Sequence, residues 1–483
     1  MIQKEKVVSS LVYKFIERIS VKLLGLIISI ILARLIAPND FGLLAIITVF
    51  INLSQTVIQG GFNTALVQSK TADDKDYSTV FYISLAVAGL AIGVLYMCAP
   101  FISQYYGSDA LVWPLRAYAF TLVFAAFNSV QVAKLQREMK FRSMMLSSLV
   151  ATVVAGVVGI LMAYNGLGIW ALVVYNSLTI VVSCLTMLIS AKWFPRLTFS
   201  LSGAKQLFSY GWKMFVSAIL CSIYNDIRTL IIGKKFSTED LAYYNKGQQF
   251  PVVISSTLDS AIQSVMFPAM ASVQDDRMRV KNILRRALSI ASLLIVPLMV
   301  GLAVTAESVI VILLTEKWLP CVFYMQMICL ADIVFALSSS NLVAIKAIGR
   351  SDIYMRLEIV RRILMLVVLA VSLLGFHSVE AVVIGYLISS WLDYIVITVP
   401  VKKLLNYGIF QQIRDIWKIL LASACVGAVA YAISFVEMHL VLQLCLQVLA
   451  GVLTYLFMCW LLKIESFIYL KDMLFKKFIH RKK

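Results

Sequence analysis

Four cationic residues lie inside long apolar runs, where a charged side chain is uncommon. Arg18 and Lys22 lie in the first run, four residues apart and hence on one helical face, while Arg116 and Arg228 lie in later runs. Burying a charge in apolar surroundings is costly unless the charge is paired or solvated. The planar fork of arginine can make two hydrogen bonds to one phosphate. The pattern predicts that these four residues bind an anionic, phosphate-bearing group.

Acidic residues form a second candidate set in other apolar runs. Asp226, Asp259, Asp332 and Asp393 can each bind a cation whose movement drives a transport step, or pair with a cation on another helix. Asp226 is two residues from Arg228, a spacing that does not place both on one helical face. Cation coupling and structural ion pairing both stay open for these four carboxylates.

Composition shows what kind of chain carries these residues. Of 483 residues, 61% are hydrophobic and 14% are charged, and the mean hydropathy is +0.89. Soluble chains have about 25% charged residues, so a water-soluble enzyme and a disordered scaffold are excluded. The net charge of +18 comes from short clusters between apolar runs, not from a basic face that would bind nucleic acid. The eight cysteines and three histidines are scattered and predict neither a metal site nor a cofactor.

The apolar runs have the length that a membrane helix needs, about 20 residues. They lack the period-two alternation of a barrel strand, so bundled helices remain. The sequence predicts an all-α polytopic membrane protein with about fourteen transmembrane helices. The predicted spans are 15–36, 41–60, 79–103, 112–133, 144–164, 168–190, 209–233, 246–270, 287–313, 320–345, 357–376, 379–400, 416–436 and 440–462.

Lysine and arginine predict the direction of these spans. With the amino terminus inside, 34 of the 43 basic residues fall in the tails and loops that face the cytoplasm or at the span ends next to them. The outer loops and the span ends next to them hold five: Arg34, Lys234, Lys235, Lys246 and Lys317. The remaining four are Arg18, Lys22, Arg116 and Arg228. An excess of Lys and Arg marks the cytoplasmic side. Both termini are therefore predicted to be cytoplasmic. Because Arg18 and Arg116 lie near span ends, snorkelling to the interface is the alternative to binding for them.

A weak internal repeat suggests how the spans are grouped. The segment from Ala33 to Ala45 resembles that from Gly233 to Asn245, and both fall on the outer turn between two spans. Six spans separate the copies, so both point the same way. Parallel repeats of this kind form two lobes with a substrate path between them. We predict an N-terminal lobe (1–205), a C-terminal lobe (206–405) and a final helix pair with a basic tail (406–483).

The segment from Leu32 to Gln68 resembles the signature region of bacterial polysaccharide flippases of the Wzx type. The matching features are Ala33–Leu35, the Pro38–Gly42 turn and Thr64–Gln68. The resemblance is to the lipopolysaccharide and teichuronic acid exporter branch of the multidrug/oligosaccharidyl-lipid/polysaccharide (MOP) exporter superfamily. Gln59 stands where the family commonly has an acidic residue near the end of span 2, which puts a coupling role for this position in doubt.

This resemblance implies export of an undecaprenyl-pyrophosphate-linked oligosaccharide across the bacterial inner membrane by lobes that alternate between inward- and outward-facing states. The expected partners are this substrate, membrane lipids and other polysaccharide-assembly proteins. The alternative is a drug/cation antiporter of the same superfamily, which would more often have twelve spans and a cavity dominated by carboxylates. A membrane polymerase or ligase is disfavoured because no loop is long enough for a catalytic domain. We therefore expect a transporter and not an enzyme.

Overall fold

Helices make up nearly all of the chain that the structure describes. The computed structural model describes residues 4–60, 62–68 and 73–468, and no strand occurs within those ranges. A helix pairs its interior N–H and C=O groups within itself, as a lipid environment demands. In chain order the helices are α1 (Lys4–Leu35), α2 (Pro38–Gln59), α3 (Phe62–Gln68), α4 (Asp74–Tyr106), α5 (Val112–Ala119), α6 (Leu122–Arg137), α7 (Phe141–Tyr164), α8 (Ile169–Ala191), α9 (Leu201–Lys235), α10 (Thr238–Ala271), α11 (Arg277–Val304), α12 (Ala306–Leu314), α13 (Cys321–Ala347), α14 (Ser351–Gly375), α15 (Val379–Leu405), α16 (Ile409–Ser434) and α17 (Leu440–Leu461).

Twelve helical segments within the described ranges are long and apolar enough to cross a membrane. They lie on α2, α4, α5 with α6, α7 to α11, α13, and α15 to α17. The predicted spans 15–36 and 357–376 fall on α1 and α14, which carry charged residues such as Lys22 and Arg361. The prediction of an all-helical, multi-pass membrane protein is confirmed. The count of fourteen crossings stays a prediction.

The chain forms two compact units, Met1–Ala242 and Tyr243–Lys483. By this division α9 packs with the first unit, where it contacts α2, α3 and α4. The lobes that the repeat predicts, 1–205 and 206–405 with a final helix pair, stay a prediction.

The first unit is assembled around α7, which packs against both α1 and α8. In a membrane, large apolar side chains gain little by leaving lipid for a neighbouring helix. Small side chains instead favour helix packing, because they let the backbones approach closely. The buried face of α7 follows this rule almost throughout. It consists of Met144, Ser147, Ala151, Thr152, Ala155, Gly156, Gly159 and Ala163.

The second unit is assembled around α13, which packs against α11 and α15. Most of this helix is buried, and its buried side chains are polar as well as apolar. Asp332, Ser338, Ser339, Ser340 and Asn341 are all at most 9% exposed. Because buried polar groups need hydrogen-bond partners, the buried polar side chains of α13 are candidates for a binding site inside this unit.

Candidate functional site

A break between α2 and α3 positions the polar residues of the first unit. Gly60 ends α2 with a φ of +51°, a left-handed conformation that favours glycine, and its N–H donates to the carbonyl of Thr56 at 3.2 Å. A Cβ at this position would also come within 2.9 Å of the Phe62 ring. The turn sets α3 against α6, where the Ser129 hydroxyl donates to Asn63 Oδ1 at 2.8 Å.

A cavity of about 320 Å³ opens beside this hydrogen bond. None of the nine residues that line it is charged, and six carry amide or hydroxyl groups. Neutral amides and hydroxyls offer both donors and acceptors, which is what the hydroxyls of a sugar require. The six polar lining residues are Gln55, Gln59, Asn63, Asn128, Ser129 and Gln136.

Asn128 brings to this lining a buried oxygen that is unpaired among the described residues. Its Oδ1 is buried and has no hydrogen-bond partner within the described part of the chain. A buried acceptor left unpaired costs about 1–3 kcal/mol, so its retention points to a ligand hydroxyl or a water. Gln55 and Gln59 lie in predicted span 2 and Asn128 lies in predicted span 4, and the structure brings the three together. Asn52, in the same stretch as Gln55, is exposed and does not line the cavity.

In the second unit, two of the predicted carboxylates lie on one helix pair, α10 and α13. The Ser255 hydroxyl of α10 donates to Asp332 Oδ2 of α13 at 2.5 Å. Asp259, one turn beyond Ser255, accepts from Gln263 at 2.5 Å and from the Ser339 hydroxyl at 3.1 Å. Asp259 is 7% exposed and Asp332 is 3% exposed.

The partners of these two carboxylates limit what they can do. Among the described residues, neither has a Lys or Arg nitrogen within 4 Å, so their bonds come from hydroxyls and an amide. A buried carboxylate without a cationic partner is costly when ionised and attracts a cation or a proton. The two carboxylates therefore have the chemistry that binding of a cation or a proton needs.

Asp393 has different surroundings. Its carboxylate on α15 is held by both Nε and Nη2 of Arg361 on α14, the second bond being 2.9 Å long. Arg361 also contacts Glu358 at 2.9 Å, and Glu358 contacts Arg362 at 3.4 Å. A bidentate pair of this kind neutralises both partners and ties α14 to α15. The geometry favours the structural ion pair that the sequence left open for Asp393.

The two copies of the internal repeat meet within the first unit. Asn39 on α2 hydrogen-bonds to Thr238 at the start of α10. Beside it, a Cβ at Gly42 would lie 1.8 Å from the backbone oxygen of Thr238, so only glycine fits. Further along, Ile46 contacts the position of Gly233 on α9. The Pro38–Gly42 turn therefore packs directly against the start of α10.

Comparison with known proteins identifies the family. A model described as "Polysaccharide biosynthesis protein" matches residues 31–323. The chain belongs to this family. It is 25% identical over 438 residues to the teichuronic acid biosynthesis protein TuaB of Bacillus subtilis, covering 84% of this chain and 85% of the relative. It is 22% identical over 445 residues to the lipopolysaccharide biosynthesis protein WzxC of Escherichia coli, covering 90% and 88%.

The fold of this polysaccharide biosynthesis protein is also found in a solved structure. The lipid II flippase MurJ in an inward closed conformation matches with a TM-score of 0.75 and 15% identity, over 97% of this chain and all of the MurJ chain. Identity this low shows a shared fold alone. The predicted resemblance to polysaccharide exporters is confirmed by the family and by the curated relatives.

Two of the cations predicted to bind substrate in this family member, Lys22 and Arg228, lie on different helices. Lys22 is half-buried on α1 and Arg228 is half-buried on α9, and each interacts with neighbouring groups. Asp226 is also half-buried on α9. The side chain of Arg18 lies outside the described residues. A substrate-binding role for these cations, and a coupling role for Asp226, stay predictions.

Arg116 binds a backbone carbonyl that a proline leaves without its helical donor in α4. Pro100 has no N–H, so the carbonyl of Tyr96, four residues earlier, loses its helical donor. Arg116 Nε and Nη2 donate to that carbonyl at 3.3 and 3.2 Å, and the guanidinium lies 4.0 Å from the centre of the Tyr96 ring. This contact gives Arg116 a structural partner, while the predicted binding of substrate by Arg116 stays a prediction.

In the second unit, a neighbouring side chain also binds a carbonyl that a proline leaves free. Pro297 in α11 removes the donor to the carbonyl of Leu293. The Tyr455 hydroxyl on α17 donates to that carbonyl at 2.7 Å. In lipid a freed carbonyl must find a donor from a neighbouring helix. The carbonyls that the two prolines leave free are therefore satisfied by side chains of neighbouring helices, from α5 for α4 and from α17 for α11.

Sequence reasoning missed the burial of Lys246 and one buried network. Lys246 was counted with the outer loops, yet it lies within α10, is 5% exposed, and lies 5.8 Å from the Trp318 ring centre. Its position at the edge of an apolar run hid this burial.

The buried network joins two amides of the second unit. Asn341 and Gln412 exchange hydrogen bonds of 3.0 and 3.1 Å, and Tyr394 donates to Gln412 at 3.0 Å. Nothing along the sequence signals that pairing, because the two amides are 71 residues apart.

Proposed function

We propose that this protein is a flippase that moves a polyprenyl-pyrophosphate-linked oligosaccharide, or a related precursor of a cell-surface polysaccharide, across the bacterial inner membrane. It works by alternating access, with both termini in the cytoplasm, and other polysaccharide-assembly proteins supply and consume its substrate. The observation that carries the proposal is the uncharged cavity of the first unit. Its amides and hydroxyls match the hydroxyls of a sugar, and Asn128 offers a buried acceptor.

The lining of that cavity also separates this proposal from its rival. A drug/cation antiporter needs carboxylates to hold a cationic substrate, and no lining residue of this cavity is acidic. The family and the names of the curated relatives support the glycan assignment. The activity named for MurJ, flipping of a lipid-linked precursor, supports it as well.

Proteoliposomes carrying a polyprenyl-pyrophosphate oligosaccharide with a fluorescent sugar test the proposal. Translocation removes the fluorophore from quenching by external dithionite. We expect Asn128→Leu to slow translocation about tenfold, because one lost hydrogen bond costs about 1.4 kcal/mol of transition-state binding. The variant is expected to fold, because leucine removes a buried oxygen that has no partner.

Asn176→Leu is the matched control. Asn176 is a half-buried amide on α8 of the same unit, and it donates to the Leu172 carbonyl of its own helix at 2.8 Å. This variant is expected to keep its rate within twofold. Wild-type rates in Asn128→Leu would remove the cavity from the substrate path. Failure of the wild type to move the lipid, combined with export of a cationic dye, would establish the antiporter instead.

We further propose that Asp259 and Asp332 bind the cation that couples transport. Both are buried between α10 and α13 and are bonded to neutral groups. In the same vesicles, a Na⁺ or proton gradient is expected to speed wild-type translocation, and Asp259→Asn with Asp332→Asn is expected to abolish that response. Glu380→Gln, which neutralises an exposed carboxylate at the start of α15, should retain it. A gradient response that survives the double substitution would assign coupling elsewhere.

A further inference from the structure

A basic cavity of about 800 Å³ lies at one end of the second unit, away from the carboxylates just described. The starts of α11 and α16 and the turn after α17 enclose it. Among its fourteen lining residues, five are cationic and two are acidic. The five cations are Arg285, Arg286, Arg414, Lys418 and Lys463.

The acidic residues offset only part of this charge, because five cations share the lining with two carboxylates, Asp415 and Glu465. Asp415 is bound by Arg285 at 2.8 Å and accepts a hydrogen bond from the Tyr407 hydroxyl at 2.7 Å. Burial, and then the neighbouring Asp415, raise the pKa of Tyr407, so its phenol stays protonated as a donor. Lys418 donates to the Leu462 carbonyl at 3.0 Å and so holds the end of α17 beside α16. The cavity is thus a braced structure with a surplus of positive charge.

Apolar residues share the same lining. Ile419 and Ile464 are buried in the core, whereas Ile290 is half-buried and Trp417 is 47% exposed. Tryptophan is enriched where a membrane meets water, and the three helices begin or end at this level. By the distribution of Lys and Arg, this end faces the cytoplasm, where anionic lipids give the membrane a negative surface.

We propose that this cavity binds the phosphate head group of an anionic phospholipid. Basic pockets between membrane helices on the cytoplasmic side suit such head groups, and the half-buried Ile290 and the exposed Trp417 give the pocket an apolar edge for an acyl chain. A soluble pyrophosphate would satisfy the same cations but would make no use of this apolar edge. The site is distinct from the proposed sugar cavity, and its existence does not depend on the transported substrate.

Binding of defined lipids to the full-length purified protein in detergent, measured by native mass spectrometry, tests this site. The probes are cardiolipin, which carries two phosphates, the zwitterionic phosphatidylethanolamine, and sodium pyrophosphate. We expect cardiolipin to bind, and Arg286→Gln with Arg414→Gln to weaken its binding about 30-fold, from about a five- to sixfold loss per cation near a membrane surface. Phosphatidylethanolamine and millimolar pyrophosphate are expected not to displace it.

The matched control is Arg356→Gln with Lys403→Gln, two exposed cations of the same unit that do not line the cavity. It removes the same charge and is expected to keep the affinity within twofold. A further pair, Arg414→Gln with Lys463→Gln, leaves α11 unchanged and should reproduce the loss. Equal affinities in pocket and control variants would overturn the site. Displacement by pyrophosphate would assign it to a soluble phosphate, and equal binding of phosphatidylethanolamine would remove the charge preference.

Discussion

Replacing Gly42 by alanine is expected to destabilise the protein by about 3 kcal/mol or more, enough to lower its yield and its melting temperature sharply. The added Cβ would lie 1.8 Å from the backbone oxygen of Thr238 and 2.6 Å from its carbonyl carbon. Ordinary contact begins at 3.4 Å, so the start of α10 would have to move by about 1.6 Å. A flexible side chain could swing aside, but this obstacle is backbone.

Gly93→Ala is the control for this prediction. Gly93 lies within α4 of the same unit, and a Cβ there would meet no atom within 4 Å. Alanine is a better helix former than glycine by about 1 kcal/mol, so this variant should melt at the same or a higher temperature. Adding Thr238→Ala to Gly42→Ala is expected to give no rescue, because the clash is with the main chain. Equal melting of Gly42→Ala and Gly93→Ala in thermal unfolding by size-exclusion chromatography would contradict the packing described above.

The second large effect is expected at the ion pair between α14 and α15. Arg361→Leu removes both hydrogen bonds to Asp393, whose side chain is only 18% exposed. Removing one partner of a buried pair costs about 3–5 kcal/mol, and the lower end applies because both groups retain some exposure. We expect a loss of stability of about 3 kcal/mol, measured as a fall in melting temperature and in membrane-inserted protein.

The double variant Arg361→Leu with Asp393→Leu separates structure from coupling. A buried pair replaced by apolar side chains is often neutral, so most of the lost stability should return. Because the geometry favours a structural role, we expect the double variant to keep the translocation rate within threefold and to respond normally to an ion gradient. Recovery of stability without transport would instead make Asp393 a coupling residue. Arg350→Leu, which breaks an exposed pair with Asp352, is the control and should leave the melting temperature close to that of the wild type, because solvent screens exposed ion pairs.

The candidate site was predictable in its parts but not in its assembly. Asp259 and Asp332 stood out because isolated carboxylates in apolar runs are rare. Their partners could not be predicted. Ser255 reaches Asp332 across 77 residues of chain, and helical periodicity orders residues along one helix without specifying the helix it faces.

Composition and the spacing of apolar runs determined the helical membrane fold, and the Pro38–Gly42 motif indicated the family, because each is a property of contiguous sequence. Tertiary packing alone decided which charges are paired. It joined Asp393 to Arg361, buried Lys246 beside Trp318, and set Arg116 against the carbonyl that Pro100 leaves free. The physical reason is that the free-energy cost of burying a polar group in lipid depends on which groups the neighbouring helices bring into contact with it. The fold, and not the local sequence, determines which helices are neighbours.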